Sequence, residues 1–251
     1  MLYDVVIIGA GMSGLAAGIR LAYYGKKVCI IEKHYRPGGL NSFYNLEGSQ
    51  FDVGLHAITN YVKKGTKNAP LSKLLKQLKL KYEDFALCEQ KSSTINFPGL
   101  TLFFNNNFEL FEQEIIDKFP DQKENFQRFY KYISQYDELD LNSKPVSARS
   151  VVNSFLDDPL LIEMLFCPLS YYGNAKEGDM DFDQFVIMFK SIFMEGFARP
   201  EKGVRQIINV LLKKYIACGG ELRIKKGVKL INTFNKKVKS VTLENGEVLK
   251  S

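Results

Sequence analysis

The run Gly9-Ala10-Gly11-Met12-Ser13-Gly14 constrains this chain more than any other feature. It stands between an apolar stretch, residues 3–8, rich in Val and Ile as a buried parallel strand is, and a helical stretch, residues 12–24, with Leu15, Ile19 and Ala22 on one face. A second apolar strand, residues 27–32, follows. Strand, helix and strand within about 30 residues read as a parallel crossover. Each glycine of such a turn has a task. Gly9 permits the tight exit from the strand, Gly11 lets the backbone approach a pyrophosphate because it lacks a Cβ, and Gly14 lets the helix pack closely on the sheet. The six residues from Gly9 to Gly14 then cradle the phosphates at a helix N-terminus, where free N–H groups favour negative charge. Glu32 ends the second strand, where an acidic group receives a ribose hydroxyl, and its charge repels the extra phosphate of NADP.

The rest of the chain changes character twice. Residues 34–60 hold glycines and polar residues with little periodicity and read as an extended, ligand-lining segment; residues 71–80 read as a basic helix. From 85 to 200 aromatic residues are dense and glycines sparse. Helices are expected over 108–119, 121–136 and 182–193, the last with Phe182, Phe185, Val186, Phe189, Ile192 and Phe193 at helical spacing. An ordinary core explains most of these aromatics; the lining of an apolar pocket is the second reading. After Pro200 the first character returns: an amphipathic helix over 203–218 closed by Gly219 and Gly220, a strand over 221–225, and strands over 237–243 and 247–250 joined at Asn245-Gly246.

Charge and cysteine usage narrow the class. The net charge is +6, with lysines clustered in the first third and near the C-terminus. No nucleic-acid-binding motif interleaves them, so solvated faces are the first reading and contact with anionic lipid head groups the second; no nucleic-acid partner is expected. Cys29, Cys88, Cys167 and Cys218 are widely spaced, which suits free thiols in a reducing compartment and no metal site. The N-terminal apolar run is broken by Asp4 and lacks a basic lead, so it does not read as a signal peptide, and no stretch is long and clean enough to span a bilayer. A cytoplasmic protein is expected, or one of an organelle lumen if a transit peptide has been removed, with peripheral membrane contact as a further reading.

These motifs together resemble a known family. The stretch from Asp4 through Gly11, Glu32-Lys33, Pro37-Gly38-Gly39, Phe51-Asp52-Val53-Gly54-Leu55-His56, the turn Arg199 to Val204, and the later Lys226 to Ile231 with Asn245-Gly246 are similar to the FAD-dependent phytoene desaturase, carotenoid isomerase and retinol saturase group, within the amine-oxidase-like flavoproteins. The resemblance is strong in the first 60 residues, moderate after 199 and weak between. It departs where many relatives carry Arg after the paired glycines and this chain has Leu40 and Asn41, and where two glycines stand in place of Lys202-Gly203. It implies FAD as the cofactor, held by Gly9 to Gly14, Glu32, Lys33, Gly38, Gly39, Leu40, Asn41, Gly54 and His56, with the Val228 backbone at the adenine. His56 is the candidate proton-transfer group, since only two histidines are present.

The implied architecture is α/β: a Rossmann-like FAD/NAD(P)-binding domain built discontinuously from residues 1–84 and 201–251, with a mostly helical substrate (cap) domain inserted as 85–200. The implied function is an FAD-dependent oxidoreductase that desaturates, saturates or isomerises an apolar isoprenoid or carotenoid-like polyene. A flavin amine oxidase is the alternative; a non-catalytic dinucleotide-binding fragment and a membrane-surface protein are further readings. The family's proteins continue beyond Ser251 with a second glycine-containing turn beside the flavin ring. The expectation is therefore a C-terminally truncated member, whose missing segment is supplied in cis or by a second chain.

Overall fold

The computed structural model describes residues 2–54, 57–171 and 176–250. In chain order the elements are β1 (Val5–Ile8), α1 (Met12–Tyr23), β2 (Val28–Ile31), β3 (Phe43–Leu46), β4 (Ser49–Asp52), α2 (Pro70–Leu78), β5 (Leu87–Glu89), β6 (Ser93–Phe97), β7 (Leu100–Phe104), α3 (Phe108–Lys118), α4 (Lys123–Gln135), α5 (Ala148–Asn153), α6 (Pro159–Ser170), α7 (Phe182–Phe189), β8 (Ala198–Pro200), α8 (Val204–Ala217), β9 (Glu221–Arg223), β10 (Val228–Phe234), β11 (Lys237–Leu243) and β12 (Val248–Lys250). The chain divides into two compact units, one of residues 1–58, 64–88 and 199–251, the other of 59–63 and 89–198. The expected boundaries at 84/85 and 200/201 are shifted to 88/89 and 198/199. Residues 59–63 join the second unit because their partners are there: Tyr61 N–H donates to the Gly196 carbonyl and the Asn60 amide to Ser191 Oγ.

The first unit is built on a parallel sheet in the order β1-β2-β9, with Val5 to Ile8 opposite Val28 to Ile31 and Cys29 to Ile31 opposite Glu221 to Arg223. Helices α1 and α8 pack together beside it, burying Leu15, Ile19, Ile207, Ile208, Leu211 and Tyr215. An antiparallel meander, β10-β11-β12, buries Val241, Leu243 and Leu249 with Tyr3, Cys29 and Ile31. β2 is buried throughout, as a central parallel strand should be. The expectation of a buried β1 is corrected: its residues are half-buried and Ile8 is 52% exposed. Apolar composition alone cannot distinguish a central strand from one hydrogen-bonded along a single edge, and β1 pairs only with β2 among the described strands. Residues 34–60, expected to be extended, contain a 3-10 turn at Gly39–Asn41 and the β3–β4 hairpin.

The second unit is helical around one antiparallel hairpin, β6–β7. Phe111, Phe126, Phe129, Phe182, Phe185, Phe189 and Phe193 are fully buried in one cluster, with Phe111 and Phe193 stacked at 4.3 Å. Ring-on-ring packing therefore accounts for these phenylalanines as core rather than pocket lining. The expected helix over 182–193 holds, with its last turns widened to a π-helix at Lys190–Glu195 and closed by Gly196 at φ 89°. Among the described residues no helix is long and apolar enough to cross a membrane.

Candidate dinucleotide-binding site

The turn between β1 and α1 is shaped by its glycines. Gly9 has φ 101°, which L side chains rarely adopt. Gly11 is the N-cap of α1 in an extended conformation, and a Cβ added there would meet nothing within 4 Å. A Cβ at Gly14 would instead strike the Gly9 carbonyl oxygen, so Gly14 maintains the close approach of helix and turn. The start of α1 carries no side-chain cap and no acidic residue in its first turn. Its orphan N–H groups and the positive end of the helix dipole therefore face the open space above Gly11, which suits a phosphate.

Glu32 follows β2 and closes this turn from the other side. Its Oε2 accepts from the Ala10 N–H at 2.8 Å and its Oε1 from the His34 N–H at 2.8 Å. Its own backbone is fixed by β9 and the following residues: Glu32 N–H donates to the Arg223 carbonyl at 2.8 Å, and Lys226 N–H donates to the Glu32 carbonyl at 2.9 Å. The carboxylate is half-buried and each oxygen keeps a lone pair for a further donor, which fits a ribose hydroxyl.

A second segment lies against the turn. Gly38 N–H donates to the Ala10 carbonyl at 2.8 Å, Gly11 and Gly38 form a parallel bridge, and a Cβ at Gly39 would lie 3.4 Å from Gly11 Cα. Both Gly38 (φ 124°) and Gly39 (φ 59°) adopt left-handed backbone conformations. Asn41 N–H returns to the Gly38 carbonyl at 3.0 Å, while the Leu40 side chain stands in solvent at 86% exposure. The hydroxyl of Ser42 is buried without a hydrogen-bond partner among the described residues, an orphan that a polar ligand would satisfy. Gly54 (φ 79°) packs on the same segment, since a Cβ there would strike the Leu40 carbonyl oxygen and approach Asn41 Oδ1.

The structure thus gathers Gly9 to Gly14, Glu32, Gly38, Gly39, Leu40, Asn41 and Gly54 in one neighbourhood. The remaining expected site residues are Lys33, Val228 and His56. Lys33 is exposed and its Nζ pairs with Glu244 Oε1 at 2.8 Å. Val228 is half-buried in β10 opposite Leu243, two residues beyond the Lys226 that bonds Glu32. His56 lies outside the described residues.

Sequence reasoning missed Asp52. Its side chain is only 3% exposed and accepts from Arg205 at 2.8 Å, from Arg199 at 3.4 Å and from the Val204 N–H at 3.3 Å. It therefore pins β4 to the first turn of α8, where Gly203 (φ 76°) leaves the space that the carboxylate fills. The available signal was a pair of arginines flanking a lone glycine, about 150 residues from their carboxylate, which no local periodicity connects.

A second polar network ties β9 to the N-terminal segment and to Glu247 before β12. Tyr3 O–H donates to Glu221 Oε2 at 2.7 Å, and Arg223 bridges Glu221 at 2.7 Å and Glu247 at 2.6 Å. The Tyr3 hydrogen bond holds the Glu221 carboxyl below its ordinary range, helped by Arg223, while burial pushes the Cys29 thiol up. Cys29 is fully buried and behaves as a small apolar residue. Among the described residues no group of His, Cys, Asp and Glu is placed to hold a metal ion.

Comparison with known proteins agrees with this geometry. The NAD(P)-binding Rossmann-like domain family matches residues 7–78. Prolycopene isomerase of Daucus carota is 27% identical over 97% of this chain and 44% of its own length. Phytoene desaturase (lycopene-forming) of Pseudescherichia vulneris is 24% identical over 97% of this chain and 53% of its own length. Human all-trans-retinol 13,14-reductase is 46% identical over a shorter match of 55 residues, 22% of this chain and 9% of the relative. An oxidoreductase from Methanosarcina mazei shares the fold, with a TM-score of 0.70 at 19% identity over 98% of this chain and 56% of that one. The chain spans about half the length of the curated relatives that it matches end to end. The first unit thus contains a Rossmann-like NAD(P)-binding domain, and by sequence the chain is similar to prolycopene isomerase, phytoene desaturase and all-trans-retinol 13,14-reductase.

Proposed function

We propose that this chain carries the ADP-binding part of an FAD-dependent oxidoreductase that desaturates, saturates or isomerises an apolar polyene of isoprenoid type. The observation that carries the reading is the uncapped start of α1 facing open space at Gly11, with the Glu32 carboxylate hydrogen-bonded across the turn. The names of the sequence relatives support the substrate class. In this reading the first unit, residues 1–58, 64–88 and 199–251, makes the FAD-binding domain, and the second, 59–63 and 89–198, the substrate domain. The N–H groups at the start of α1 hold the pyrophosphate, and Glu32 accepts from the ribose. Gly38 to Asn41 and Gly54 bring backbone close to the cofactor, with Ser42 Oγ as a further polar contact. Val228 presents backbone to the adenine, and His56 moves a proton at the reacting end. FAD, when bound, exchanges a hydride or electrons with carbon–carbon bonds.

The test has two parts. Purified protein is dialysed against FAD and its absorbance spectrum recorded, with ADP as competitor; the full-length gene product is then screened with polyenes and with amines. Weak flavin binding by this chain, competed by ADP, and turnover of a polyene by the full-length gene product are expected. Retention of a nicotinamide dinucleotide in preference to FAD, or turnover of amines alone, overturns the reading.

A further inference from the structure

Outside the nucleotide turn, one surface of the first unit combines charge and aromatic groups in an unusual way. Residues 64–81 contain six lysines (64, 67, 73, 76, 79 and 81) and no Asp or Glu, and residues 12–31 contain Arg20, Lys26 and Lys27 and again no acid. The fold brings these two acid-free stretches together. Arg20 donates to the Gln77 carbonyl at 3.0 Å, the Lys79 ammonium lies 5.8 Å from the Tyr23 ring centre, and the Arg20 guanidinium 5.4 Å from that of Tyr24. Helix α2 buries Leu75 and Leu78 and turns Lys73, Leu74, Lys76 and Gln77 outward. Leu74, Tyr23 and Tyr24 are 48%, 50% and 66% exposed. The acids that follow are already engaged: Glu83 pairs with Lys64, and Asp84 accepts from the Lys81 N–H. Lys73 and Lys76 form no ion pair among the described residues.

We propose that this face, formed by the end of α1 and the outer side of α2, docks on a membrane surface bearing anionic lipid. Lysines without acidic partners are drawn to the negative potential of such a leaflet. Lysine is a strongly hydrated point charge, suited to diffuse attraction rather than to the bidentate grip of arginine on one phosphate. Exposed tyrosines joined to an exposed leucine are the side chains that settle at the water–lipid boundary. A nucleic acid fits less well. The rings of Tyr23 and Tyr24 pack edge to face at 5.5 Å and each already has a cation over one face, which leaves less ring surface for stacking successive bases. The inference stands on charge and exposure and does not depend on the cofactor; with an apolar substrate, it places the protein where that substrate dissolves.

The test is co-sedimentation of the purified chain with vesicles of phosphatidylcholine alone and of phosphatidylcholine with phosphatidylserine. It is run at about 0.1 M and about 1 M salt, between which the screening length falls from about 10 to about 3 Å. Binding to the anionic vesicles only, released at high salt, is expected. The triple variant Lys73→Gln, Lys76→Gln, Lys79→Gln should weaken it by at least about tenfold, several-fold for each lysine. The control Lys236→Gln, Lys237→Gln, Lys239→Gln removes the same charge from the β10–β11 hairpin and should stay within about threefold of the parent. All six lysines are exposed, so circular dichroism and melting should match the parent for both variants. Equal binding to neutral vesicles, no binding to either kind, equal loss in the control, or capture by polyglutamate without vesicle binding each overturns the proposal.

Discussion

Gly11 and Gly14 stand three residues apart and should fail in different ways when a side chain is added. At Gly11 the backbone is extended (φ −71°, ψ 176°), a region open to any residue, and a Cβ meets nothing within 4 Å. Valine is a poorer N-cap than glycine by up to about 1 kcal/mol, and the loss of glycine's freedom in the unfolded chain returns about 0.4–1 kcal/mol. Gly11→Val should therefore leave folding stability within about 1 kcal/mol of the parent. The added methyls occupy the space in which phosphate oxygens approach the first-turn N–H groups. Loss of two charge-assisted hydrogen bonds at about 1.5–3 kcal/mol each weakens dinucleotide binding by roughly 10²–10⁴-fold. At Gly14 a Cβ would lie 2.1 Å from the Gly9 carbonyl oxygen and 3.3 Å from its carbon. That neighbour is backbone and cannot swing aside. Overpacking at the upper end, about 3 kcal/mol, exceeds the gain of about 1 kcal/mol in helix propensity, so Gly14→Ala should lose about 2 kcal/mol of stability and distort the cradle as well. Urea denaturation followed by circular dichroism measures the first quantity, and calorimetric titration with FAD and with ADP the second. Parent-like affinity in Gly11→Val, or parent-like stability in Gly14→Ala, refutes the reasoning.

Three other perturbations probe the unit. Glu32→Ala should weaken FAD by about 1–3 kcal/mol, read by fluorescence quenching, and no preference for NADP should be seen in the parent. Asp52→Ala removes the shared partner of Arg199, Arg205 and the first turn of α8, and should cost about 3 kcal/mol in urea denaturation because it leaves a half-buried guanidinium unpaired. Glu221 has its folded-state carboxyl held below the ordinary value, so its contribution to stability is present at neutral pH and lost as pH falls through that lowered value. Melting temperature measured from pH 7 downward should fall less steeply in Glu221→Gln than in the parent.

What could be read from sequence was local. The strand, glycine turn, helix and acidic strand end occupy 30 consecutive positions with fixed spacing, and the structure places them so. The amphipathic face of α8 and the turn at Asn245-Gly246 were legible for the same reason. The β6–β7 hairpin and α5 were not, because short apolar segments in an aromatic-rich region carry no distinctive period. Helix α6 was hidden by Pro168 within it. Asp52 was invisible because its meaning lies wholly in contacts with residues far along the chain. The half-buried state of β1 depends on how many strands flank it, and composition does not report that.

Glu32 has a consequence for how quickly a ligand is received. Its carboxylate ties the Ala10 N–H to the His34 N–H, and the Ala10 carbonyl in turn anchors Gly38. The glycine turn is thus held in its receiving shape from two sides. The entropy of ordering those residues is spent during folding rather than at the encounter. Association should then proceed as a collision with a rigid surface, at a rate proportional to ligand concentration with no plateau from loop closure. Release, rather than capture, becomes the step through which changes around this turn are felt.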